Sequence, residues 1–201
     1  CICWLFILIS GFCYPLGNTK GKAKRGATVF LAGLLVTLCT RIAMPQDCVI
    51  FGVLTLIGSC MLLLLPAQKL FEKVQPVAGF LLCLALFLLT RDINDGYLGF
   101  EGLRLLKLPD GMYRNLITAY LGFPSPSFAS TDYFSLFPWL FLFAAGCFLN
   151  GIFKRYSLFK ALEAHTVGAF EWLGRHSLVI YLVHQPIIYA VCALIFHAAG
   201  R

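Results

Sequence analysis

Charge is what this chain has least of. Only 12% of its 201 residues are Asp, Glu, Lys or Arg, about half the share of a soluble domain. Hydrophobic residues make up 60% and the mean hydropathy is +0.84. A water-soluble fold of this size cannot hide so much apolar surface, because its skin has to be polar. Lipid removes that constraint. Acidic residues are the scarcest, 9 against 16 basic ones, for a net charge of +7. The basic residues sit in short segments between apolar runs and form no basic face carrying base-stacking aromatics, which excludes a nucleic-acid partner.

Several motifs are also missing. There is no Gly-x-x-x-x-Gly-Lys-Ser/Thr loop, no His-Glu-x-x-His and no Gly-x-Ser-x-Gly, so ATPase, metalloprotease and α/β-hydrolase chemistry lack their residues. Nine cysteines lie in or beside apolar segments without one Cys-x-x-Cys pair. They read as small buried hydrophobes, and no metal site is expected. Residues 1–16 carry no charge, so they lack the basic start of a signal peptide. The chain opens on Cys1 rather than Met and reads as a fragment cut inside or just before a helix.

What is present is a series of apolar runs: 1–16, 27–44, 48–65, 76–90, 133–153 and 177–199. A helix needs about 20 residues, range roughly 17–25, to cross the hydrocarbon layer. The runs predict an all-α, polytopic transmembrane bundle of about six helices in a single domain spanning 1–201. Polar segments 18–25, 66–75 and 154–176 hold ten Lys and Arg; the alternating segments 41–47 and 91–132 hold five, offset by six acids. The positive-inside rule then places the first set in the cytoplasm and makes 91–132 an extracytoplasmic loop. With that sidedness the first run enters from outside, and one helix is expected before Cys1. A loop of about 40 residues is uncommon without internal structure, and Gly102 to Leu108 fits a short amphipathic helix at the interface.

Polar groups at membrane depth are functional candidates by default. His184 is the foremost, about two turns into the last run beside Gln185 and Pro186, with Tyr181 three residues earlier on the same side. A neutral imidazole there serves as base, acid or interhelical hydrogen-bond partner. Asp132, followed by Tyr133 and by Pro138-Trp139, stands where the fifth run begins, and an acid there can cap the helix. Arg41 and Arg91 sit at outer helix ends, as interfacial anchors or functional cations. On the cytoplasmic side Lys20, Lys22, Lys24 and Arg25, and separately Arg175 and His176, suit anionic lipid or a phosphorylated ligand.

Several stretches resemble the heparan-α-glucosaminide N-acetyltransferase catalytic-domain family, a group of transmembrane acyltransferases. They are Ile9-Ser10-Gly11, Phe51-Gly52-Val53-Leu54-Thr55-Leu56-Ile57-Gly58, Asp132-Tyr133-Phe134 with Pro138-Trp139, Gly146, and Leu173-Gly174-Arg175-His176-Ser177-Leu178 running into Tyr181-Leu182-Val183-His184-Gln185-Pro186. The last is the most specific, and the order and spacing fit bacterial members over nearly the whole chain. The resemblance implies an enzyme of the bacterial plasma membrane. Acetyl-CoA or another acyl-CoA serves as co-substrate from the cytoplasm, and the acyl group passes to an outer acceptor, a sugar amine or hydroxyl. Asp132, Tyr133 and His184 then line the outer half of a cavity, and Arg25, Arg175 and His176 face the CoA end. The family's key histidine falls before Cys1, and Thr55 stands where many relatives carry His or Gln. Two other readings stay open from the residues: a transporter or flippase, for which the His-Gln-Pro helix break suits a substrate path, and a non-catalytic membrane component. Acceptor identity and association into a homo-oligomer are open as well.

Overall fold

The computed structural model of the chain describes residues 2–100, 102–159, 172, 174, 176, 178–183, 187, 191 and 195. It is mostly helical and divides into two compact units, Cys1–Tyr156 and Ser157–Arg201.

In the first unit the helices are α1 (Ile2–Cys13), α2 (Thr19–Ala43), α3 (Val53–Leu63), α4 (Gln68–Lys73), α5 (Pro76–Leu89), α6 (Leu116–Leu121) and α7 (Trp139–Arg155). Between α5 and α6 runs a two-stranded antiparallel hairpin, β1 (Tyr97–Phe100) and β2 (Leu103–Lys107). Among the described residues only α2, at 25 residues, is long and apolar enough to cross a membrane. Its outward leucines, Leu31, Leu34, Leu35 and Leu38, are exposed, the surface a lipid-facing helix needs.

Local chemistry sets the helix ends. Asn18 Oδ1 accepts the Gly21 N–H at 2.7 Å and starts α2 eight residues ahead of the apolar run. The segment 18–25, expected as a loop, therefore supplies the first turns of α2, since lysine, alanine and arginine all favour helix. Pro76 at the first position opens α5, matching the run that begins there. The third run is not helical throughout: residues 48–52 are irregular and only 53–63 are helical. The fifth run likewise becomes helix only from Trp139.

α3 is buried from Val53 through Met61, as a helix apolar on all sides must be. Glycines let the helices come close. Gly33 of α2 lies on Thr55 and Gly58 of α3 lies on Phe30. On the other seam, Gly11 of α1 rests on the Phe143 carbonyl and Gly146 of α7 on the Leu8 carbonyl. α5 joins α7 through Gly79, packed against the Phe148 ring. Phe87 and Phe143 are fully buried between these helices, and Trp4 meets Phe87 edge-on with centroids 5.0 Å apart.

The segment after α5 is folded. Where an amphipathic helix was expected over 102–108, β2 pairs with β1 instead. The reason is local: Gly99 and Gly102 have φ of +159° and +102°, and the turn at Gly102 reverses the chain before a helix can start. Asn115 caps α6 with a reciprocal capping box to Thr118.

In the second unit, residues 178–183 are helical, as are Trp172, Gly174, His176, Ile187, Val191 and Ile195. The His176 ring stacks on Trp172 at 4.7 Å.

Candidate functional site

Residues 48–53 and 130–134, some 80 positions apart in sequence, run side by side. Thr131 N–H donates to the Cys48 carbonyl at 3.3 Å and Phe134 N–H to the Phe51 carbonyl at 2.8 Å. Ser130 Oγ fixes the register from both sides, accepting the Ile50 N–H and donating to the Ile50 carbonyl, each at 2.9 Å. The backbone turns sharply at Phe51, whose φ of +58° is rare for a bulky side chain. Aromatic contacts hold it there: its ring packs on Tyr120 at 5.2 Å and stacks on Phe128 at 6.3 Å. Such a strained residue persists only where its surroundings over-determine it, commonly at functional sites.

This pairing delivers Asp132 to the start of α3. Its carboxylate accepts a hydrogen bond from the Val53 backbone N–H, where the helix dipole favours negative charge. Gly52 leaves the room: a Cβ on it would stand 3.3 Å from Asp132 Oδ2 and 3.0 Å from the Val49 side chain. Partial burial raises the Asp132 carboxyl above its ordinary value, and the Val53 N–H opposes that rise. The expectation that Asp132 caps the fifth helix is corrected. α7 starts seven residues later, and the cap that Asp132 supplies belongs to α3.

Tyr133, next along the extended segment, turns the other way. Its hydroxyl donates to the Ala119 carbonyl at the end of α6, and burial pushes the phenol up to about 12. It forms part of the wall of a cavity of about 600 Å³, together with Asn94, Tyr97, Tyr113, Phe128 and Ser130. Asp95 and Lys107 add charge at the rim of the same cavity. Tyr113 is fixed by its hydroxyl, which donates to the Ile93 carbonyl at 2.6 Å. A cavity of this size with aromatic walls and a few polar groups suits a small ligand of one or two rings. Asp132 is not on its lining, so of the expected pair only Tyr133 reaches the cavity.

The other expected site residues are dispersed. Arg25 is exposed on the second turn of α2, near Lys22, whose ammonium lies 5.0 Å over the Tyr14 ring. Tyr14 in turn donates to the Met61 carbonyl at 2.9 Å and accepts from Gln68 at 3.3 Å. His176 is exposed, with Nδ1 3.0 Å from the Trp172 carbonyl. Arg175 and His184 lie outside the described residues. Ser130, Phe128, Tyr113 and Asn94 were missed from the sequence. Ser130 carried the one usable signal, two positions from Asp132 in an extended segment.

No curated protein and no solved structure matches the chain. A family model does, over residues 1–186, and its description is heparan-alpha-glucosaminide N-acetyltransferase, catalytic. The match takes in both segments that meet at Val53 and Asp132, and the chain belongs to the heparan-alpha-glucosaminide N-acetyltransferase catalytic-domain family.

Proposed function

We propose that this protein is an acetyltransferase of a multi-pass membrane bundle, of the bacterial plasma membrane type, moving an acetyl group from cytoplasmic acetyl-CoA to an acceptor on the opposite side. The acceptor is a sugar or glycan carrying an amine or hydroxyl, and it occupies the cavity walled by Tyr97, Tyr113, Phe128 and Tyr133. Aromatic faces suit the apolar faces of a sugar ring, while Asn94, Ser130 and Asp95 offer hydrogen bonds to its hydroxyls.

The single observation that carries this reading is the pairing of 48–53 with 130–134. It sets a carboxylate of raised proton affinity on a helix N-terminus one residue from the cavity wall. In the reaction the acceptor nitrogen or oxygen attacks the thioester carbonyl carbon, the carbon–sulfur bond breaks, and CoA leaves as the thiol. The acceptor must lose one proton. Asp132, whose carboxyl lies outside the cavity lining, is assigned to that transfer through one bridging water, and Tyr133 positions the acceptor; His184 is proposed separately as an acid or base. At the other end, Lys20, Lys24 and Arg25 on the capped N-terminus of α2 join a helix dipole to several cations. That combination suits CoA phosphates. Arg175 and His176 are proposed, in their own right, to meet a phosphorylated ligand or anionic lipid.

The test is acetyl transfer by the purified full chain in detergent, given radiolabelled acetyl-CoA and a panel of amino sugars. One acceptor gains label. Absence of label on every acceptor, together with no binding of CoA, overturns the enzyme reading.

A further inference from the structure

Arg91, at the end of α5, stands between two tryptophans. Its guanidinium carbon is 5.6 Å from the Trp4 ring centroid and 5.1 Å from that of Trp139. The two indoles are 6.3 Å apart at 76°. Phe87 and Phe134 back them, with Phe87 5.0 Å from Trp4 and Phe134 5.2 Å from Trp139. Three helices thus contribute, α1 through Trp4, α5 through Phe87 with Arg91 two residues beyond its end, and α7 through Trp139.

The rings serve the guanidinium through cation–π attraction, but they accept nothing from its in-plane N–H donors. Nε is buried and has no hydrogen-bond partner. Among the described residues no carboxylate pairs with the Arg91 charge. The neighbouring Asp92 carboxylate accepts from the Gly102 N–H at 3.0 Å, in the hairpin turn. A buried donor left unmade is costly, and more so on a charged group. The group that answers a planar fork edged by aromatic rings is a planar or tetrahedral oxyanion, which takes Nε–H and one Nη–H on two oxygens. A water satisfies the donor but leaves the charge without a counter-ion.

We propose that Arg91, held between Trp4 and Trp139, is the binding residue for an oxyanion, a carboxylate or a phosphate. The group belongs either to a phospholipid headgroup at the end of the bundle or to a soluble acidic ligand. Two residues of chain separate Arg91 from Asn94 on the cavity wall, so a soluble ligand bound there adjoins the cavity. The site is defined by binding alone and holds whether or not the protein transfers acetyl groups.

The experiment titrates the full chain in maltoside detergent with three probes, dioctanoyl-phosphatidylglycerol, inorganic phosphate and glucuronate, and reads tryptophan fluorescence. Trp4 and Trp139 border the site, so occupancy changes their emission. At least one probe gives a saturable change. Arg91→Lys, which keeps the charge and loses the fork, weakens that binding by about tenfold or more; Arg91→Gln abolishes it; Arg41→Gln leaves it unchanged. A response to the lipid probe alone assigns the oxyanion to a headgroup, and a response to phosphate or glucuronate assigns it to a soluble ligand. No saturable response from any probe overturns the proposal. So does a wild-type affinity in Arg91→Lys, or an equal loss in Arg41→Gln.

Discussion

The Asp132 carboxylate accepts the Val53 backbone N–H, so residues 79 positions apart are joined at the first turn of the most deeply buried helix. If this carboxylate takes the acceptor proton, Asp132→Asn keeps the side-chain shape and an acceptor oxygen for Val53 but removes the base. The expected result is a fall in kcat of about 10²–10⁴-fold, with the unfolding temperature lowered by only a few degrees. Steady-state kinetics beside a thermal melt of the same preparation reads both.

The raised Asp132 carboxyl gives pH dependence a definite sign. The folded protein holds the proton more tightly than the unfolded chain, whose carboxyl titrates near 3.8. The stability contributed by this group is full below that pH and is lost as pH rises through the folded value. A base acts when ionised, so activity runs the other way. The acid limb of the kcat/KM profile lies above 3.8, rises with pH, and is missing from the residual activity of Asp132→Asn.

Gly52 separates geometry from chemistry. A methyl group there meets Val49 at 3.0 Å and Asp132 Oδ2 at 3.3 Å, so Gly52→Ala pushes the carboxylate off the helix start while leaving it ionisable. About a tenfold loss of kcat/KM is expected, of the kind a small misplacement of a reacting group produces. Stability changes by about 1 kcal/mol or less, because the φ of −70° at Gly52 suits alanine. Kinetics and denaturant melts on the purified variant distinguish this from general unfolding.

The α1–α7 seam makes a contrasting prediction. A Cβ at Gly11 overlaps the Phe143 carbonyl oxygen, and one at Gly146 overlaps that of Leu8. Neither carbonyl is the end of a flexible side chain, so the helices must part. Gly11→Ala and Gly146→Ala each destabilise by about 1–3 kcal/mol or more. Their combination is non-additive, because once parted by one methyl the helices accept the second at lower cost. Thermal melts of the two single variants and the double variant measure this.

The sequence showed most where local chemistry decides. Pro76 opening an unbroken apolar run located the start of α5, and the run at 1–16 became α1 with a following turn. It showed least where distant segments decide. Residues 48–52 are as apolar as those after them, and their hydrogen bonds to the distant segment 130–134 accompany a non-helical course. Asp132 looked like the cap of the helix next to it, because nothing in the neighbouring sequence points to Val53. The family motifs marked both segments without showing that they touch. The basic segment 18–25 has the charge pattern of a loop, and only the Asn18 cap marks it as the start of α2.

The pairing at Val53 and Asp132 as the acceptor end of a transmembrane acetyltransferase is tested most directly in proteoliposomes of one orientation. Labelled acetyl-CoA is supplied on the side of Arg25, and the amino sugar only on the side of the β1–β2 hairpin. Labelled sugar should accumulate with the native chain and fall to a hundredth or less with Asp132→Asn, on the scale of lost general-base catalysis. Equal transfer by both proteins, or transfer only when both substrates share one side, contradicts the account.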